Sequence, residues 1–67
     1  MNGLSKFVRI NGTNGIEHYI NTRFITEFFY VETKNATYIY MHGESEPTIY
    51  TGNWTTSIRD AISCDQG

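Results

Sequence analysis

The chain has 67 residues, with 5 Lys and Arg against 7 Asp and Glu and a formal net charge of −2. This balance excludes a strongly basic phosphate-binding surface and an acidic mimic of DNA, and no apolar run approaches the roughly 20 residues that span a bilayer. We expect one domain, residues 1–67, with flexible ends at 1–5 and 65–67.

Two strands and a tight turn are predicted in the first third of the chain. Lys6–Ile10 forms the first strand, and Ile16–Ile20 alternates between two faces as the returning strand. The intervening Asn11–Gly15 contains two Asn-Gly pairs, the strongest short hairpin signal, because both residues tolerate positive φ. Asn21–Phe24 follows as a turn or a single helical turn.

Three further strands are predicted in the middle of the chain. Ile25–Thr33 is apolar on both faces around its run of aromatic residues, which is typical of a strand covered on both sides. After a polar turn at Lys34–Ala36, the alternating Thr37–Met41 forms the next strand. The turn His42–Pro47 then leads into a short last strand, Thr48–Thr51.

One helix is predicted at the C-terminal end. Trp54, Ile58, Ala61 and Ile62 recur at the spacing of a single helical stripe. Asn53 precedes them, and its side chain can accept a hydrogen bond from a free backbone N–H of the first turn. The sequence therefore predicts an α+β fold: a four- or five-stranded antiparallel β-meander with one amphipathic helix of about ten residues packed on one face.

The order of these signals resembles the small FlbD-like proteins of bacterial flagellar operons. The resemblance lies in Arg9-Ile10-Asn11-Gly12, in Tyr19-Ile20-Asn21, and in the Thr-rich hydrophobic hairpin and short helix that follow. The chain departs from that layout in its longer Asn11–Gly15 turn and in the aromatic run Phe28–Tyr30. The resemblance implies a small β-rich fold and does not imply an activity.

The sequence contains no pattern typical of an enzyme, a metal site or a cofactor site. A nucleophile needs a base and an orienting group close by, whereas Cys64 is expected at the end of the helix, where the helix dipole disfavours a thiolate. His18 is in phase with the apolar side chains of its strand, and His42 lies in a turn. We therefore predict a non-enzymatic protein without cofactor or metal.

The N-terminus and the cysteine content indicate the compartment. Residues 1–6 have neither the basic nor the apolar part of a signal peptide. Cys64 is the one cysteine, so no internal disulfide can form, and a lone reduced thiol is ordinary in the cytoplasm. We expect a cytoplasmic protein.

Four tyrosines form the predicted binding site. If the isoleucines and methionine of the strands face the helix, alternation places the tyrosines on the opposite face: Tyr19, Tyr38, Tyr40 and Tyr50. Such a face is either a solvated sheet surface stabilised by cross-strand aromatic pairs or an interface, since tyrosine is enriched in binding hot spots.

These features favour a small protein-binding module. We expect it to form a homodimer or higher oligomer and to bind or inhibit a larger protein, as an accessory protein of a phage or mobile element would. The alternative is a single-stranded nucleic-acid binder that stacks bases on the tyrosines, although stacking platforms need flanking cations and the five Lys and Arg residues are dispersed. Nucleic acid and membrane are not the expected partners.

Overall fold

The computed structural model describes residues 7–12 and 14–64, so the predicted flexible ends lie outside the described residues. Five antiparallel strands precede one C-terminal helix, which confirms the predicted α+β class. The elements, in chain order, are β1 (Phe7–Asn11), β2 (Glu17–Asn21), a 3-10 turn (Thr22–Phe24), β3 (Ile25–Val31), a second 3-10 turn (Glu32–Lys34), β4 (Ala36–Met41), β5 (Thr48–Thr51) and α1 (Thr55–Cys64).

The strands lie in two sheets. β1 and β2 form a two-stranded hairpin, and β3, β4 and β5 form a three-stranded sheet in that order. The 3-10 turn Thr22–Phe24 separates the two sheets, and the Asn21 side chain stabilises it by accepting a hydrogen bond from the backbone N–H of Arg23 at 3.0 Å. This turn redirects the chain after β2, so β3 begins a new sheet and does not extend the hairpin.

Two glycines shape the hairpin turn for different reasons. Gly15 has a φ of 82°, a region that glycine reaches without the steric cost of a Cβ. Gly12 lies so close to the His18 ring that a Cβ there would come within 3.0 Å of Nε2. The predicted positive φ is therefore confirmed for Gly15, whereas Gly12 is needed because a larger residue would collide with the His18 ring.

The core lies between the hairpin, the helix and one face of the three-stranded sheet. Its fully buried centre consists of Ile10 from β1, Ile39 from β4 and Ile58 from α1, each 0% exposed. The helix packs against β1, the Thr22–Phe24 turn and β3. The hairpin therefore joins the helix in covering the sheet, which the sequence alone did not predict.

A buried threonine and an asparagine fix the start of α1. The Thr37 hydroxyl, 0% exposed, donates to the Gly52 carbonyl at 2.6 Å and accepts from the Trp54 backbone N–H at 2.9 Å. Asn53, predicted as the N-cap, accepts a hydrogen bond through Oδ1 from the Thr55 N–H at 3.1 Å, but it lies one residue before the cap position. The first helical bond, from Ile58 N–H to the Trp54 carbonyl, places the cap position itself at Trp54.

Candidate functional site

The register of the three-stranded sheet decides which side chains share a face. Phe29 lies directly opposite Tyr38, and Tyr38 lies opposite Ile49, so one apolar row crosses all three strands. Tyr40 lies two residues further along β4, on the same side of the sheet as Tyr38. We call these four residues, Phe29, Tyr38, Tyr40 and Ile49, the outer aromatic face.

Three of the four side chains of the outer aromatic face are rings that lie next to one another. The rings of Phe29 and Tyr38 stack with centroids 5.4 Å apart and planes 10° apart, and the Tyr40 ring lies 6.2 Å from Phe29. Phe29 remains 37% exposed and Ile49 53% exposed, whereas Tyr38 and Tyr40 are half-buried. The predicted pairing of Tyr38 and Tyr40 on one face is therefore present, with Phe29 between them.

Tyr50 is not part of this face, and the expectation that it lies opposite the core is wrong. It pairs with Thr37 across the ladder, which turns its ring inward, and it is 7% exposed. The His18 ring meets it edge-on with centroids 5.3 Å apart. Burial, and to a smaller extent the nearby Glu44 carboxylate, raises the pKa of the Tyr50 hydroxyl above its ordinary value of 10.0.

Tyr19 lies on a different surface, the solvent side of the hairpin. It is 62% exposed and pairs with Arg9 across the two strands. Its hydroxyl donates to Glu17 Oε1 at 3.1 Å, and Glu17 Oε2 lies 3.5 Å from Arg9 Nη1. The structure thus brings two of the four predicted tyrosines together and places the other two elsewhere.

Phe29 was missed in the sequence, and the expectation that Ile49 faces the helix is wrong. Thr48-Ile49-Tyr50-Thr51 has one large apolar side chain on each face, so alternation gives no preference, and only the pairing of Thr37 with Tyr50 decides it. Phe29 was hidden in a run that is apolar on both faces. That run predicted a strand covered on both sides, yet within one copy of the chain β3 is an edge strand whose Phe29 side is open.

Two observations on the described part of the chain concern metal binding and membrane spanning. Within residues 7–12 and 14–64, no group of three His, Cys, Asp or Glu side chains could hold a metal ion. Its single helix is too short and too polar to cross a membrane.

Comparisons with family models, curated proteins and solved structures find no match. The resemblance to the FlbD-like proteins therefore stays a prediction. A function for this chain has to be argued from its own surfaces.

Proposed function

We propose that this protein is a non-enzymatic binding module that self-associates through the outer aromatic face. The observation that carries the proposal is the Phe29–Tyr38–Ile49 row, which crosses every strand of the sheet and has an exposed side chain at each end. Contiguous exposed apolar patches on small proteins mark interaction sites, and aromatic side chains supply most of the binding energy in such sites.

A second copy of the chain fits this face for two reasons. The three strands ITEFFYV, ATYIYM and TIYT contain one charged residue, Glu27, which lies opposite Tyr40, so like-charge repulsion between two identical faces is confined to this residue. Two sheets packed face to face lie about 10 Å apart with interdigitating side chains. A chain of this size buries only about 60% of its unfolded surface, so covering the sheet stabilises the fold without lengthening the chain.

Within this proposal, a larger protein would meet the solvent side of the hairpin. Phe7 is 56% exposed and Tyr19 62% exposed there, on a sheet separate from the proposed dimer contact. Binding or inhibition of a larger protein then requires no residue of the outer aromatic face. The setting we propose, a cytoplasmic accessory protein of a phage or mobile element, is supported by the small size and the lack of a catalytic pattern.

Nucleic-acid stacking is less well supported than protein binding. A stacking platform needs cations beside its rings, but β3, β4 and β5 contain no Lys or Arg, and Glu27 lies opposite Tyr40. Arg9, the cation next to Tyr19, is paired with Glu17. Salt-dependent retention on heparin, reduced by Arg9→Gln, would instead favour the nucleic-acid alternative.

Sedimentation equilibrium at micromolar concentration tests the proposal. We expect at least twice the monomer mass for the wild type, and a shift toward monomer for the double variant Tyr38→Ala with Tyr40→Ala. Its melting temperature should fall together with the mass, because subunit binding and folding are linked. Tyr19→Ala is the control, since it removes a tyrosine ring from the solvent side of the hairpin, outside the proposed contact, and should leave the mass unchanged.

Two results would contradict self-association through this face. A wild-type protein that has the monomer mass even at high concentration would show that the proposed dimer does not form. Dissociation by Tyr19→Ala, with the double variant still dimeric, would place the contact on the hairpin.

A further inference from the structure

The connection between β1 and β2 contains two Asn-Gly pairs, Asn11-Gly12 and Asn14-Gly15. In such a pair the glycine backbone nitrogen can attack the asparagine carboxamide carbon, because no Cβ shields it. The N–C bond that forms expels ammonia and closes a succinimide ring. Water then opens the ring to aspartate or, by cleaving the other C–N bond, to isoaspartate.

Asn11-Gly12 is held away from this reaction by the hairpin ladder. Asn11 is the last residue of β1 and pairs with Glu17. The Gly12 N–H donates to the Ile16 carbonyl at 2.8 Å, and the His18 ring lies against Gly12. Closing the ring requires rotation of the Asn11 backbone out of its extended conformation, which would break the last ladder pair.

Asn14-Gly15 is arranged differently. Both residues are exposed, and nothing lies within 4 Å of the position where a Gly15 Cβ would stand. Asn14 Oδ1 accepts a hydrogen bond from the Ile16 N–H at 3.2 Å. That bond holds the carboxamide over the Asn14–Gly15 peptide unit, close to the Gly15 nitrogen that attacks it. It also draws electron density from the Asn14 carboxamide carbon, which favours the attack.

We propose that Asn14 is a site of spontaneous deamidation, with water as its only co-reactant. The net change replaces the carboxamide with a carboxylate and releases ammonia. Before attack, the Gly15 N–H must leave the Gly12 carbonyl, 3.0 Å away. This bond lies in the exposed turn, and opening it leaves the pairing of Asn11 with Glu17 intact.

The modification changes the hairpin in two ways. Isoaspartate adds one carbon to the main chain within the turn that closes β1 on β2, and either product adds a negative charge to a chain whose formal net charge is −2. The turn is on the hairpin, so the outer aromatic face is untouched. The inference is therefore independent of the proposed self-association.

Incubation of the intact protein in mildly alkaline buffer, followed by tryptic digestion and fragmentation mass spectrometry, tests the proposal. Both asparagines fall in the peptide between Arg9 and Arg23, so fragment ions are needed to separate them. We expect Asn14 to convert about tenfold faster than Asn11. Breaking one ladder hydrogen bond before the attack costs about 1.4 kcal/mol, which corresponds to a tenfold lower rate. Asn14→Asp is the control, since it keeps the Oδ1 acceptor but has no carboxamide, and it should release no ammonia at position 14.

The same incubation in concentrated urea distinguishes the effect of the folded hairpin on the deamidation rates from the effect of the local sequence. Both pairs are Asn-Gly, so the two rates should become similar once the hairpin is unfolded. Equal rates in the native protein, faster conversion at Asn11, or a preference for Asn14 that persists unchanged in urea would each overturn the proposal.

Discussion

The two faces of the three-stranded sheet are built from similar residues and have different surroundings. The inner face presents Ile39 and Tyr50 to the helix and the hairpin, and both are buried. The outer face presents Phe29 and Ile49 to solvent, at 37% and 53% exposure. Composition therefore does not distinguish the buried face of this sheet from the exposed one. The inner face is buried because the helix and the hairpin pack over it, and neither of them covers the outer face.

The largest expected effect follows from removing the contact at the centre of the inner face. Ile58→Ala should lower the free energy of unfolding by about 2–5 kcal/mol, because the residue is fully buried and its loss leaves a cavity. Urea denaturation measures this change. Ile49→Ala on the outer face is the matched control, and in dilute, monomeric protein it should stay within about 0.5 kcal/mol of wild type.

This pair of variants tests the comparison directly. If Ile58→Ala and Ile49→Ala lower the free energy of unfolding by the same amount, the inner and outer faces of the sheet are equally buried. If Ile49→Ala becomes costly only as protein concentration rises, the outer face is covered by a second copy, as proposed.

A smaller effect is expected from the turn of the hairpin that helps to cover the inner face. Gly15→Val should cost about 1–2 kcal/mol, because an L-residue in the left-handed region brings its Cβ against the following carbonyl, and Gly15 has a φ of 82°. Thermal unfolding monitored by circular dichroism measures it. Gly15→Asn should cost less, since asparagine tolerates this region, and a Val variant as stable as wild type would contradict the turn geometry.

The smallest effect concerns the tyrosine that faces inward. The pKa of Tyr50 is raised by its burial and by Glu44, so the folded state keeps the hydroxyl protonated where the unfolded state loses its proton. Its contribution to stability is therefore complete below the ordinary pKa of 10.0 and declines as pH rises above that value toward the folded pKa.

Unfolding in urea at a series of alkaline pH values compares the wild type with Tyr50→Phe. The variant should lose stability less steeply above the ordinary tyrosine pKa. Identical slopes for the two proteins would show that Tyr50 does not titrate differently on folding.

Local patterns predicted the elements of this fold but not the sides of its sheet. Alternation and turn residues placed β1, β2 and β4 to within a residue or two and β5 at Thr48–Thr51, and the spacing from Trp54 to Ile62 predicted α1. The inward position of Tyr50 depends on the pairing of β4 with β5, which lies beyond the reach of a four-residue strand pattern. For the same reason Ile49 was placed on the wrong face, whereas Phe29 was not predicted because its run is apolar on both faces.

The division into two sheets was also beyond local pattern. A turn was predicted at Asn21–Phe24, but its geometry decides whether β3 continues the hairpin or leaves it. The hydrogen bond from Arg23 N–H to the Asn21 side chain fixes that geometry. As a result the hairpin packs over the sheet and does not extend it.

The hydrogen bonds of the Thr37 hydroxyl affect the order in which parts of the native structure unfold locally. It joins the carbonyl of Gly52 to the backbone N–H of Trp54, so the first turn of α1 is tied to a residue 17 positions earlier in the central strand. The helix cannot detach without leaving polar groups of the sheet unpaired, which couples the two into one cooperative unit. The hairpin is held by its own ladder and by the packing of Ile10 in the core, so amides near its exposed turn, such as that of Gly15, should exchange with solvent while α1 stays in place.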